Sequence, residues 1–405
     1  MSLQRRILIG ATAGLTILSR RPRADIAADA VKVGVLGDQT TFGADAGGVG
    51  SVVAARMAAE DFGGRAGGRP VEVVAADFGD RPDVAATTAR RWFDREGVHA
   101  IADMTLSSAA LAVQGIVRER RRTLLIAGAA TSDLTGKACS PFSTHWADDT
   151  HVIATNVARG LLETGQDTWF FISPDYALGA ALERDATAAI TAGGGRVVGR
   201  ASHPVQETDF SSLLLRAQAS RAKVVGLTSV GTNTVNQVKQ AREFGIVARG
   251  QKLAGFLIFI TDIHSIGLDA AQGLNVVDGF YWDQNERSRA FARRFAERHN
   301  GRMPTKQQAG TYASVLHYLK AVDAAGSVDG AEVNARMREM PVDYLGREGR
   351  IRPDGRVLYD VTLYEVKSPA ESRQPWDYYK PVRTLPKETA FRQPGADGCR
   401  LGVPS

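Results

Sequence analysis

Short apolar runs alternate with amphipathic segments along the first third of the chain. The runs are rich in Val, Ile, Leu and Ala, as buried strands are, and they lie at 31–37, 69–78, 98–104 and 123–128. The segments between them place apolar residues at helical spacing, and the first of them stops at Gly63-Gly64. Strands that alternate with helices in this order predict a parallel sheet with helices on both faces.

The same alternation starts again after residue 150 and predicts a second α/β unit. Strands are predicted there at 168–173, 223–229 and 252–260, with a further one at 276–282. A hairpin over 349–367, with Asp354-Gly355 at its turn, precedes a tail rich in Pro and Gly. Since 405 residues are enough for two such units, the predicted fold class is α/β with two open parallel-sheet lobes.

The N-terminus has the pattern of an export signal. Two arginines precede the apolar run Ile7–Leu18, which is too short to span a bilayer. Small residues at 28–30 provide a cleavage site. We therefore expect residues 1–30 to be a signal peptide and the mature protein to be exported.

Composition and charge exclude some classes of partner. The chain is 44% hydrophobic and 23% charged, with a formal net charge of +6. Its basic run, at 118–122, lies at the predicted C-terminal end of a helix, where cations suit the helix dipole. Because aromatic residues are not interleaved with basic ones, we do not expect the protein to bind nucleic acid.

The two cysteines, Cys139 and Cys399, are far apart, and neither lies in a CxxC motif or near a histidine cluster. A zinc site therefore has no support, and we expect neither a metal nor a cofactor. In an oxidising compartment a Cys139–Cys399 disulfide is predicted, with two unrelated buried thiols as the alternative.

Small polar loops, rather than catalytic motifs, stand out along the chain. No Walker, HExxH or GxSxG motif occurs, so an enzyme has no positive support. Ligands of open α/β sheets bind at the carboxyl ends of the strands, and polar loops follow the predicted strands at 37–45, 105–109, 128–133, 173–179, 228–234 and 260–265. These loops predict a ligand cleft between the two lobes.

The sequence resembles a known family over almost its whole length from Val31. The segments "SSAALAVQ", "GAATSDLTGKACSP", "TWFFISPDYALG" and "QAGTYASVLHYLKAV" are similar to the type I periplasmic solute-binding proteins of ABC transporters, in the branched-chain amino acid group. The most similar branch is associated with aromatic acids. The resemblance implies a periplasmic monomer whose lobes, joined by a three-stranded hinge, close on a solute and dock to a membrane permease.

The family pattern also implies how the chain divides between the lobes. Crossovers are expected near 147–150, 258–262 and 342–349. They would give a first lobe of 31–148 plus 261–343, and a second lobe, with the C-terminal tail, of 149–260 plus 344–405.

The same resemblance implies a ligand site. The ligand carboxylate would be held by hydroxyls and backbone N–H groups at Ser107-Ser108 and at Ala129-Ala130-Thr131. The helix after Ser107 carries no acidic residue before Glu119, as expected if its N–H groups are kept for an anion; an ordinary serine N-cap is the alternative. Candidates for the rest of the ligand are Phe42, Tyr176, Asn233, Thr234, Asp262, Tyr281 and Trp282, although an aromatic at a strand end is usually core.

One departure bears on the ligand class. Relatives that bind aliphatic amino acids carry an acidic residue in the loop matching 230–235, whereas this chain has "VGTNTV" and nothing acidic before Glu243. An ammonium group in a closed cleft would then lack its counter-charge, unless Asp45 or Asp262 replaced it. The prediction is a carrier of a small carboxylate, with an aromatic acid favoured. An amino acid carrier of the same fold and the ligand-sensing module of a signalling system are the alternatives.

Overall fold

The computed structural model describes residues 30–396 and 398–401. Residues 1–29 of the predicted signal peptide therefore lie outside the described residues. Within the described part, no helix has the length and apolarity needed to cross a membrane.

The first sheet is centred on two neighbouring strands, β1 and β4, in the order β2-β3-β1-β4-β5-β6. All pairs are parallel except the short β2 against β3. The strands are β1 (Val31–Gly37), β2 (Arg65–Ala66), β3 (Arg69–Asp77), β4 (Ala100–Asp103), β5 (Thr123–Ile126) and β6 (Ser143–His145). The helices of this lobe are α1 (Gly48–Asp61), α2 (Pro82–Arg91), α3 (Ser107–Arg120), α10 (Glu286–Arg298), α11 (Lys306–Ala325) and α12 (Gly330–Glu339).

The second sheet has the order β16-β15-β11-β10-β9-β7-β8, in which β15 runs antiparallel to both of its neighbours, β11 and β16. Its strands are β7 (Thr168–Pro174), β8 (Arg196–His203), β9 (Val224–Leu227), β10 (Lys252–Gly255), β11 (Leu274–Asp278), β15 (Val361–Val366) and β16 (Tyr379–Leu385). Its helices are α4 (Thr150–Leu162), α5 (Ala177–Ala192), α6 (Ser211–Ala219), α7 (Thr232–Glu243), α8 (Ile260–Ile266), α9 (Leu268–Ala271) and α13 (Lys387–Ala390).

Three crossovers join the lobes. The first connects β6 to α4, the second follows β11, and the third contains a small antiparallel sheet of β12 (Val342–Tyr344), β13 (Arg347–Ile351) and β14 (Val357–Leu358). The predicted hairpin turn is present, since Ile351 pairs with Val357 around Asp354-Gly355. The predicted two-lobed α/β fold is confirmed, with mixed rather than purely parallel sheets.

The second crossover is predicted too early, near 258–262. Strand β11 pairs with β10 in parallel and with β15 antiparallel, so the chain stays in the second sheet until Asp278. The segment 261–278 therefore belongs to the second lobe, not to the first. The reason is a long-range pairing, because β15 comes more than eighty positions after β11 begins.

Close packing against the first sheet depends on a glycine. A Cβ on Gly34 of β1 would lie 2.3 Å from a ring carbon of Trp92, so only glycine lets this indole cross the strand. Trp92 and Phe93 are buried, as predicted, and lie in a π turn (Trp92–Glu96) that extends α2. Gly97 then ends the helix in the left-handed conformation.

The C-terminal tail joins the two lobes. Asn156 and Arg159 of α4 donate hydrogen bonds to the backbone oxygens of Ala390 and Thr389, which holds the tail on the second lobe. The tail then reaches the first lobe, where Cys399 forms a disulfide with Cys139. The predicted disulfide is confirmed, and it adds a covalent link to the three crossovers.

Candidate functional site

The two loops predicted to hold a carboxylate lie side by side. They follow β4 and β5, which are neighbours in the first sheet. The backbone N–H of Thr131 donates to Ser107 Oγ at 3.2 Å, so the loops are also hydrogen-bonded to each other. Two hydrogen bonds to backbone oxygens fix the segment before Thr131: Thr150 N donates to Ala130 O, and His145 Nε2 bonds Ala129 O.

The start of α3 does not have an ordinary serine N-cap. Leu106 is the N-cap, because its carbonyl accepts the first intrahelical bond from Ala110 N, and no described side chain caps the helix. Ser107 and Ser108 are therefore the first two helical residues, and the N-cap alternative is wrong. The first turn has no acidic residue, so its N–H groups present an uncompensated positive end.

Three further helices that follow central strands begin in the same way. Gly47, Tyr176 and Gly231 are the N-caps of α1, α5 and α7, and among the described residues no side chain caps these helices. None of the three has an acid in its first turn, whereas α2, α10 and α12 all do. The carboxyl edges of both sheets thus present positive helix ends, which favours an anion in the cleft.

The aromatic candidates Phe42 and Tyr176 lie on loops of opposite lobes. Phe42 is 66% exposed, which is unusual for so large an apolar side chain. Its loop is held by Asp38, whose carboxylate accepts from the backbone N–H groups of Thr41 and Gly43. Tyr176 is half-buried at the start of α5, and its burial raises the pKa of the phenol.

The acidic candidates Asp45 and Asp262 already have partners. Asp45 forms an ion pair with Arg302 at 2.6 Å. Asp262 Oδ2 accepts from Phe259 N at 2.8 Å and thereby caps α8. Burial, with the charge of Asp45 adding to it, raises the pKa of the Asp262 carboxyl to about 6. An ammonium group would therefore have to compete with these partners for either carboxylate.

The second-lobe loop at the start of α7 is polar and uncharged, as its sequence predicts. Asn233 Nδ2 donates to Val205 O at 2.9 Å. Thr234 is buried, and no described partner bonds its hydroxyl.

Tyr281 and Trp282 do not behave as cleft residues. Both are buried, and their polar atoms bond the tail: Trp282 Nε1 donates to Trp376 O at 2.7 Å, and Tyr281 Oη accepts from Tyr378 N at 3.1 Å. Both side chains thus pack under the tail, which returns to cover this strand end, and their assignment to the ligand stays a prediction.

Sequence reasoning missed the buried pair of Asp103 and Gln307, which lies beside the loop that leads to Ser107. Gln307 Nε2 donates to Asp103 Oδ1 at 2.7 Å and to Thr105 Oγ1 at 3.0 Å, so α11 positions the loop that leads to Ser107. Asp103 and Met104 have φ of 85° and 61°, an uncommon conformation for residues other than glycine. Burial raises the pKa of the Asp103 carboxyl to about 7, with the nearby charge of Asp38 adding to it. An acid at the end of an apolar strand, as in "IADM", was the available signal.

The raised pKa of the Asp103 carboxyl should make the stability of the protein depend on pH. Because its pKa is raised on folding, the stabilisation is complete below the unfolded pKa of about 4 and is lost as the pH rises towards 7. We expect Asp103→Asn to be more stable than the parent at pH 8, and the difference to shrink by on the order of 2 kcal/mol at pH 5. Urea unfolding of both proteins at pH 8 and pH 5 measures this stability difference. A stability difference that does not change with pH would contradict the raised pKa of Asp103.

The protein has two α/β lobes joined by three crossovers, and helix starts without side-chain caps lie along the sheet edges that face the cleft. These features define a bilobal ligand-binding protein. A family model described as "Periplasmic binding protein" matches residues 30–372. The chain belongs to this family, whose members bind solutes for transporters and are not enzymes.

Solved structures share the fold. A periplasmic binding protein from Burkholderia mallei is 42% identical, with a TM-score of 0.84, covering 93% of this chain and 100% of that one. A branched-chain amino acid ABC transporter periplasmic ligand-binding protein from Burkholderia xenovorans LB400 is 40% identical, with a TM-score of 0.88 and coverages of 92% and 99%. An ABC transporter solute-binding protein from R. palustris, in complex with 4-hydroxybenzoate, is 22% identical, with a TM-score of 0.79 and coverages of 90% and 99%.

Proposed function

We propose that this protein is the periplasmic component of an ABC importer and that it delivers a small carboxylate, preferably an aromatic acid. The observation that carries the proposal is the start of α3, where Ser107 and Ser108 stand in a first turn with no acid and no described side-chain cap. The bonded loop at Thr131 adds a second set of polar groups at the same place. A carboxylate there would compensate the positive helix end.

The aromatic preference rests on what surrounds the anion site. Phe42 and Tyr176 offer flat apolar surfaces from the two lobes, which suit a ring. The loop at α7 provides Asn233 and Thr234 rather than a carboxylate, so the far end of the ligand meets neutral polar groups. The R. palustris structure shows that this fold can hold a hydroxylated benzoate.

An amino acid is the second candidate, and one observation favours it. Asp262 of the second lobe lies near enough to Asp45 of the first for the Asp45 charge to raise its pKa. An ammonium group between the two carboxylates would relieve that repulsion. The relative from Burkholderia xenovorans carries an amino acid transporter name.

Export and assembly follow from the same proposal. Residues 1–30 act as the signal peptide, the mature protein works as a monomer in the periplasm, and closure of the lobes presents it to a membrane permease. Mass spectrometry of the exported protein tests the processing, and retention of residues 1–30 would contradict it.

Substitution of Asn233 tests the ligand class. We expect Asn233→Asp to weaken binding of an aromatic acid about tenfold, because it places a second negative charge in the cleft that already holds the ligand anion. An amino acid should instead bind more tightly, because its ammonium group would meet the new carboxylate. Asn233→Ala is the control, since it loses the bond to Val205 O without adding charge. Calorimetry on both variants measures the effect, and equal affinities of the two variants for benzoate would refute the placement.

A further inference from the structure

A small cavity lies at the floor of the cleft, where both lobes and the crossovers meet. Gly128 and Gln307 border it from the first lobe, Phe259 from the second, and Asp148 from the first crossover. It has room for about one water molecule. The side chain of Lys306, the first residue of α11, also lines it.

The ammonium group of Lys306 is buried without hydrogen bonds. The residue is 9% exposed, and its Nζ has no hydrogen-bond acceptor among the described residues. It lies 3.6 Å from Asp148 Oδ2 and 3.8 Å from Asp278 Oδ2, so its charge is balanced while its three N–H donors are not used. Unmade hydrogen bonds of a buried charge are costly, which favours an acceptor in the cavity.

The carboxylates of Asp148 and Asp278 differ in the hydrogen bonds that they already accept. Asp148 accepts from Tyr359 Oη at 2.9 Å and from Gly279 N at 3.0 Å, one bond on each oxygen. Asp278 accepts through Oδ1 from Phe280 N at 3.0 Å, and its Oδ2 lies 3.8 Å from Lys306 Nζ. Burial raises the pKa of the Asp278 carboxyl to about 7, and the Asp148 charge adds to it. Lys306 thus brings a strong donor to the cavity, and the Asp278 carboxylate, which is not itself part of the cavity wall, is an acceptor 3.8 Å from that donor.

That combination matches a hydroxyl group. A hydroxyl accepts from an ammonium and donates to a carboxylate, so it can use both at once. A second carboxylate on the ligand would meet Asp148 and Asp278 with one cation between them, and an apolar group would leave Lys306 without an acceptor. The size of the cavity also suits one oxygen atom rather than a larger group.

The cavity lies directly beside the proposed carboxylate site. Gly128 precedes Ala129 in the chain, and Gln307 bonds Thr105 Oγ1 in the loop that leads to Ser107. A ring whose carboxylate is held by these loops can therefore direct a substituent towards the hinge.

We propose that the ligand carries a hydroxyl group besides its carboxylate, and that Lys306 and Asp278 bind this hydroxyl at the floor of the cleft. This rests on the proposed function for the position of the carboxylate. Lys306 is then a specificity-determining residue of the site.

Binding to the unmodified mature protein tests the inference first. Calorimetry compares benzoate with 2-, 3- and 4-hydroxybenzoate and with terephthalate, which has a second carboxylate. We expect at least one hydroxybenzoate to bind ten times or more tighter than benzoate, and terephthalate to bind more weakly than benzoate. If benzoate binds and no hydroxybenzoate exceeds it, the hydroxyl site is refuted while the proposed function stands. If no aromatic acid binds, the proposed function itself fails.

A paired substitution then assigns the residues. Lys306→Met with Asp278→Asn removes both charges and keeps the side-chain stems, and circular dichroism checks its folding. We expect the preference for the best hydroxybenzoate over benzoate to fall to within twofold. Lys320→Met, on the same helix but away from the cavity, should keep the full preference. A preference that survives in the paired variant would overturn the role of Lys306, and the panel on the unmodified protein decides the hydroxyl if that variant does not fold.

Discussion

Ser108→Asp is expected to make the empty protein more stable and its ligand binding much weaker. An acid in the first turn of α3 interacts favourably with the helix dipole, by about 0.3–1 kcal/mol. The same charge would stand beside the ligand carboxylate. At about 4 Å and the effective dielectric of a protein surface, that repulsion is on the order of several kcal/mol, so a loss of 100-fold or more in affinity follows.

Ser108→Asp is informative because it is expected to raise the stability of the empty protein and to lower its affinity for the ligand. A substitution that only damaged the fold would lower both stability and affinity. Ser108→Asn is the matched control, because it has the shape of aspartate without the charge and should bind within about tenfold of the parent. Thermal unfolding without ligand and calorimetry with benzoate measure the two effects. Equal affinities of the Asp and Asn variants would show that no ligand anion lies at this helix start.

Loss of the disulfide is expected to have the largest effect on stability. Cys139 and Cys399 close a loop with a sequence separation of 260, and so long a loop is worth about 5–6 kcal/mol in the chain-entropy model. The double variant Cys139→Ser, Cys399→Ser should therefore unfold at clearly lower urea concentration than the parent under oxidising conditions.

Reductant provides the control for this variant. Dithiothreitol should lower the stability of the parent towards that of the double variant and leave the double variant unchanged. A double variant within about 1 kcal/mol of the oxidised parent would mean that the bonds of the tail to Asn156 and Arg159 hold it without the disulfide.

The local elements and the anion loops could be predicted from the sequence because their signals are local. Strand runs, helix stops and the missing acids after Ser107 are all visible within a few residues. Ser107 and Thr131 are brought together because β4 and β5 are neighbouring parallel strands, which the alternating pattern already indicates.

What the sequence did not reveal depends on long-range pairing. The place of β11 in the second sheet is decided by β15, and the burial of Trp282 by the tail at Trp376. The cluster of Lys306, Asp148 and Asp278 forms only when separate crossovers meet at the hinge. Single residues far apart in a chain give no pattern to read until the topology is known.

Calorimetry of the unmodified mature protein with benzoate-class acids and with leucine is the most direct test of the proposed ligand class. We expect at least one aromatic acid to bind with a stoichiometry of one per chain and leucine not to displace it. Tight binding of leucine or valine, with no binding of benzoate or its hydroxylated relatives, would contradict the aromatic assignment and favour an amino acid held by Asp45 and Asp262.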